Sequence, residues 1–242
     1  MKFDKFESLH QISQAAAEIL VKAADMAIKK NGRFTVALTG GSSPVELYKM
    51  LAKEPYSSLV NWEKVYVFWG DERWVPLEDE RSNARMAFET LLNHVPIPKE
   101  QIYPMWSEEK TPQEFAADYA KQLQQVLGEK GAFDLILLGM GDDGHTASLF
   151  PQTSVLEERH AWVQAYYLKP QQMHRITLTA PLINRATEIV FLVHGENKAP
   201  ALREVLQGES NPKQYPAQLI APLAGEVTWL VDRKAAAELK DL

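Results

Sequence analysis

The residues best placed to do chemistry lie between Phe133 and Pro151, where the apolar run Phe133-Asp134-Leu135-Ile136-Leu137-Leu138 breaks into a glycine-spaced loop carrying Asp142, Asp143 and His145. A histidine with a pKa near neutrality takes a proton from water and returns it to a leaving group, so His145 is a candidate general base. The alternative is a turn histidine flanked by aspartates that merely form the turn. No HExxH or similarly spaced ligand pair occurs, and no metal site is expected. The chain has no cysteine, which excludes thiolate nucleophiles, disulfides and cysteine-bound zinc and leaves nucleophilic chemistry to oxygen or nitrogen.

Four further segments carry candidate contacts. Ala37-Leu38-Thr39-Gly40-Gly41-Ser42-Ser43-Pro44 runs from a strand through two glycines to a helix start, where close backbone approach and free N–H groups suit a phosphate. The competing reading is a capping box, with Ser43 bonded to Glu46 and Pro44 at the first helical position, which needs no ligand. Trp69-Gly70-Asp71-Glu72-Arg73-Trp74 places three charges beside tryptophans at a strand end. Either this is a solvated turn, or Arg73 meets an anionic substrate while Asp71 handles protons or contacts hydroxyls. Arg175 in Met173-His174-Arg175-Ile176-Thr177, and Lys198 in Val193-His194-Gly195-Glu196-Asn197-Lys198, are two more candidate cations, each of which solvation alone would also explain.

These segments need a frame that brings them to one place. Phe6, Leu9, Ile12, Ala16, Ile19, Leu20 and Ala23 recur at three- and four-residue spacing, which predicts a helix from Phe6 to about Lys30, stopped at Asn31-Gly32. Short β-rich runs are expected at 34–38, 65–69, 133–138, 176–179, 189–193 and 228–231. Helices are expected between them at 45–51, 84–92, 112–127, 199–206 and 233–239. This alternation predicts an α/β fold with an open, mainly parallel twisted sheet flanked by helices. Ligands in such sheets bind beyond the carboxyl ends of the strands, where the candidate residues lie.

A chain of 242 residues with 45% hydrophobic side chains can bury a large core, and without repeats or a linker it reads as a single domain, residues 1–242. The charged start, Met1 to Glu7, lacks the apolar stretch of a secretion signal, and no apolar run approaches the ~20 residues of a membrane span. The cytoplasm is therefore expected. A net charge of -6 without a Lys/Arg cluster argues against a nucleic-acid partner.

Taken in order, GGSSP, DERWVP, GMGDDGHTASLFP, RITLT and GENKA resemble the 6-phosphogluconolactonase family from near residue 34 to the carboxyl end. The wider superfamily includes glucosamine-6-phosphate deaminases. The resemblance implies a Rossmann-like three-layer fold and a phosphosugar pocket, with hydrolysis of 6-phospho-D-glucono-1,5-lactone to 6-phospho-D-gluconate in the oxidative pentose phosphate pathway. It further implies a phosphate-side loop of Gly40, Gly41, Ser42 and Ser43, anion contacts from Arg73, Arg175 and Lys198, and His145 as base. Asp143 then either holds the imidazole or shapes the loop, and Asp71 either meets sugar hydroxyls or assists proton movement. No cofactor is required, the partner is the small phosphosugar lactone, and the protein is expected to be a monomer or weak homo-oligomer. The deaminases carry a glutamate five residues after the histidine, where this chain has Phe150, and a tyrosine where it has Arg73. A non-catalytic sugar-phosphate sensor is the other rival, and turnover separates it from the lactonase.

Overall fold

A computed structural model describes residues 1–129 and 131–240; Lys130, Asp241 and Leu242, which the expected unit of residues 1–242 includes, lie outside the described residues. The strands are β1 (Lys2–Phe6), β2 (Phe34–Leu38), β3 (Val65–Trp69), β4 (Asp71–Arg73), β5 (Leu135–Gly139), β6 (Val163–Leu168), β7 (Met173–Leu178), β8 (Glu188–Val193) and β9 (Glu226–Asp232). Six of them form a sheet in the order β1-β9-β8-β5-β2-β3 with every pairing parallel. Its inner strands are apolar almost throughout, as strands covered on both faces must be, and every residue of β2 is buried.

The helix Leu9–Asn31 shows how the flanking layer forms. Ser8 caps its start by accepting the Gln11 N–H, and Gly32 ends it in the left-handed region at φ 75°, donating its N–H to the Ile28 carbonyl. Ile12, Ala16, Leu20, Ala24 and Ala27 make the buried stripe, which packs against β2, β8 and β9. Burying a residue such as Ile12 or Leu20 contributes roughly 1.5–3 kcal/mol. The small alanines between them let the helix lie close to the sheet.

Chain order makes a crevice. From β2 the chain steps outward to β3, whereas β5 lies on the other side of β2, so the connections diverge beyond the carboxyl ends of β2 and β5. Such a reversal leaves an opening over the sheet edge where ligands bind. Gly70 then links β3 directly to β4: its N–H reaches the Leu38 carbonyl of β2, and its own carbonyl accepts the Leu178 N–H of β7.

The main sheet is the parallel, helix-flanked one that the sequence predicts, and that link leads out of it into a second, antiparallel sheet, order β4-β7-β6. Of the run expected among the parallel strands at 176–179, residues 176–178 instead end β7, which pairs with β4 and with β6, neither of which the apolar pattern announces, and Thr179 lies just beyond the strand. The amino terminus also differs. Phe6 ends an edge strand, not a helix, because Phe3 and Phe6 turn inward beside β9 while Lys2, Asp4 and Lys5 stay exposed. The helix expected at 84–92 is α-helical only over Asn83–Ala87 and continues as a π-helix over Phe88–Leu92. The helix expected at 233–239 is a run of turns, held where the Asp232 carboxylate accepts the Ala235 N–H. Among the described residues no helix is long and apolar enough to cross a membrane.

Candidate functional site

Beyond β2 and β5 lies a pocket of about 290 Å³, and nine of the ten sequence-selected residues line it: Gly40, Gly41, Ser42, Ser43, Asp71, Arg73, His145, Arg175 and Lys198. Asp143 stands immediately behind His145.

The glycine turn is set by β2 and one buried tyrosine. Tyr48 Oη donates to the Thr39 carbonyl at 2.8 Å and accepts the Thr39 N–H at 3.0 Å, fixing the backbone as it leaves the strand. Gly41 takes φ 84°, and a Cβ at Gly40 would fall 1.9 Å from Asn83 Oδ1, so position 40 admits no side chain while Asn83 holds its place. The capping box is not formed. Pro44 stands at the cap of the helix Val45–Leu51 with no side chain bonded to its N–H groups, and Glu46 turns away to pair with His10 at 2.7 Å.

The small sheet brings the arginines. Arg73 on β4 stands directly opposite Arg175 on β7, and residues so paired present their side chains on one face. Arg175 is 4% exposed and Asp71 5%. Arg175 Nη2 donates to Asp71 Oδ2 at 3.2 Å, Arg175 Nε to Ser148 Oγ at 2.8 Å, and Ser148 Oγ to Asp71 Oδ2 at 2.6 Å. Burial lowers the Arg175 pKa from its ordinary value, the Asp71 carboxylate opposes that, and the like charge of Arg73 adds to it. Arg73 Nη1 donates to the Arg81 carbonyl, while its buried Nε finds no acceptor among the described residues. Among the described residues neither Arg73 nor Lys198 is paired with a carboxylate, so the pocket holds uncompensated positive charge in a chain of net charge -6.

The loop after β5 presents the histidine. His145 Nδ1 lies 2.5 Å from Asp143 Oδ1, which also accepts the His145 backbone N–H at 3.0 Å. An acceptor at Nδ1 assigns the ring proton to that nitrogen and leaves the Nε2 lone pair free. Burial works against the Asp143 carboxylate, but its bonds to the His145 ring and backbone outweigh that and hold its pKa below the ordinary value. Ala147 sits at φ 47°, a left-handed conformation unusual for a residue with a side chain, and the Leu149 N–H closes the turn on the Thr146 carbonyl at 2.9 Å. Phe150 thereby returns to His145, with ring centroids 4.0 Å apart and planes 25° apart.

Several participants escaped the sequence reading. Asn83, His194 and Asn197 also line the pocket. Asn83 gives no signal of its own, although Ser82 before it is an ordinary helix cap; His194 and Asn197 flank the glycine of the segment that yielded Lys198. Glu72 lies behind the wall: the N–H groups of Arg73 and Asn83 both donate to its Oε1, and the Ala84 N–H and Ser82 hydroxyl to its Oε2. Burial drives its pKa up to about 7 against those N–H bonds. Among the described residues no group of three or more His, Asp or Glu side chains comes together as a metal site.

The chain is similar to known proteins in sequence and in fold. The family model for glucosamine-6-phosphate isomerases/6-phosphogluconolactonase matches residues 7–229. The chain is 44% identical to a 6-phosphogluconolactonase of Synechocystis sp. over 88% of each chain, and 42% identical to one of Nostoc sp. over 92% of this chain and 91% of the relative. A solved 6-phosphogluconolactonase from Trypanosoma brucei superposes with a TM-score of 0.86 at 27% identity, covering 99% of this chain and 98% of its own. A monomeric glucosamine-6-phosphate deaminase, at 23% identity and a TM-score of 0.83, shares the fold.

Proposed function

The chain belongs to the glucosamine-6-phosphate isomerase/6-phosphogluconolactonase family, and from that premise we propose that its pocket hydrolyses 6-phospho-D-glucono-1,5-lactone to 6-phospho-D-gluconate, the lactone-opening step of the oxidative pentose phosphate pathway. The observation that carries the reading is the bond between His145 Nδ1 and Asp143 Oδ1 at 2.5 Å, with the ring at the pocket wall. Neutral His145 takes a proton at Nε2 from a water as its oxygen bonds to C1 of the lactone. The C1–O bond to the ring oxygen then breaks, and imidazolium returns the proton to that oxygen. Asp143 holds the tautomer that makes this possible and stabilises the charged ring.

The cations divide the remaining work. Arg73 and Lys198, without carboxylate partners, take the charge of the phosphate together with the backbone of Gly40, Gly41, Ser42 and Ser43. Arg175 is compensated by Asp71 and its Cζ lies 5.4 Å from the centroid of the Phe150 ring, the same ring that covers His145; it serves the oxyanion that develops at C1. Asp71 acts by holding Arg175. A phenyl group at position 150 offers no carboxylate to the imidazole, which favours water activation over the deaminase's proton transfers. We extend the proposal to a cytoplasmic enzyme whose residues 1–242 work as one unit without a cofactor, as a monomer or weak homo-oligomer. The test is turnover of lactone generated in place, with spontaneous hydrolysis subtracted, by wild-type protein and by His145→Ala. Wild-type turnover with loss in the variant is expected; a His145→Ala protein as active as wild type removes the mechanism.

A further inference from the structure

We propose that Phe150 is a positioning residue for this hydrolysis: its ring fixes the plane of the His145 imidazole so that Nε2 meets the attacking water. The proposal rests on the reading of His145 as general base and adds to it a residue that touches neither substrate nor proton.

The bond to Asp143 fixes one atom of the imidazole and leaves the ring free to swing about the line from Nδ1 to Oδ1. Two contacts close that freedom. Along one edge, the bare backbone of Gly141 approaches so closely that a Cβ there would fall 2.1 Å from Nδ1 and 2.3 Å from Cε1. Over the ring lies Phe150, at 4.0 Å and 25°, an offset from parallel still small enough for stacking. Phe150 is itself anchored: it is 7% exposed, its carbonyl accepts the Thr153 hydroxyl at 2.6 Å, and the turn at Ala147 sets its approach.

Phe150 also contacts the Arg175 guanidinium, but Arg175 is held without it by Asp71 and Ser148. Removing the aromatic face therefore releases the base and leaves the cation in place. This separates the two kinetic constants. Phe150→Leu and Phe150→Met, which keep an apolar side chain but lose the flat face, should lower kcat by about 10- to 100-fold, the scale of a small misplacement of a reacting group. KM should stay within about threefold, because ground-state contacts are kept.

Phe150→Tyr, which keeps the ring, should restore kcat to within about threefold of wild type. In a His145→Asn background Phe150→Leu should change turnover by less than about twofold, since a residue that acts through the imidazole has nothing left to position. Thermal melting of the two aliphatic variants checks the fold, and their collapse would count against the proposal by making the ring structural. Aliphatic variants that turn over within about twofold of wild type, beside an inactive His145→Ala, would overturn this inference alone. An active His145→Ala would instead overturn the reading beneath it.

Discussion

The six-stranded sheet delivers its pocket residues on loops, with Gly41 at φ 84° and Gly195 at φ 99°, whereas the three-stranded sheet holds Asp71, Arg73 and Arg175 on the strands themselves. On the loops, His145 is a quarter exposed at its side chain and Lys198 has no carboxylate partner among the described residues. On the strands, Asp71 and Arg175 are buried and bonded to each other and to Ser148. In the proposed mechanism the loops supply the base and Lys198, while the strands supply Arg73 for the phosphate and, in Arg175, an oxyanion contact whose buried pairing with Asp71 also fixes where the pocket wall stands. Loops over the sheet edge can carry reactive groups because their loss costs the core little. A buried ion pair cannot be altered on one side without leaving a charge unpaired.

If this division is right, substitutions in the two regions should fail in different assays. The largest effect on rate should come from the loop: His145→Ala should lower kcat by about 100- to 10,000-fold with little change in melting temperature. A large fall in stability there would erase the contrast. On the strand side, Asp71→Asn should cost about 3–5 kcal/mol of unfolding free energy by leaving Arg175 buried without its counter-charge. Chemical denaturation measures this, and an unchanged midpoint would show that the pair bears no structural weight.

Lys198→Ala should produce a smaller and more selective change. KM for the phosphorylated lactone should rise about tenfold, the worth of one charge-assisted contact, while an unphosphorylated gluconolactone should be unaffected. Equal losses on both substrates would assign Lys198 to the carbonyl or the loop.

The smallest effect concerns acid. Because the Asp143 pKa is held below its unfolded value, its bonds to His145 stabilise the fold above that unfolded value, about pH 4, and the contribution is lost as pH falls through the folded pKa. Asp143→Asn should thus be less stable than wild type at neutral pH, with the gap closing on acidification. The side chain is 41% exposed, so solvent screens the effect, and a gap that widened in acid would contradict the assignment.

The same contrast explains what the sequence disclosed. Strands β2, β5 and β8 are legible because a strand buried on both faces needs a nearly continuous apolar run, and each then breaks at a glycine or histidine loop, as at Leu138-Gly139-Met140-Gly141. The small sheet is not legible in this way. Asp71-Glu72-Arg73 looks like a solvated turn, since its pairing partner, Arg175 to Thr177, lies about a hundred residues away. The alternation in β6 is weak and its edge position removes the need for a stronger one. Glu72 is indistinguishable in sequence from its charged neighbours, because nothing local shows that one carboxylate gathers Arg73, Ser82, Asn83 and Ala84.

Gly40 and Asn83 occupy a single volume between them, one by lacking a side chain and the other by filling the space. Their substitution is consequently epistatic. A methyl group at 40 is harmful while asparagine stands at 83, and shortening 83 opens a void while glycine stands at 40, so a descendant of this protein would have to cross a valley whichever change came first. Drift at the two positions should be locked together, although the chain between them runs through two strands of different sheets.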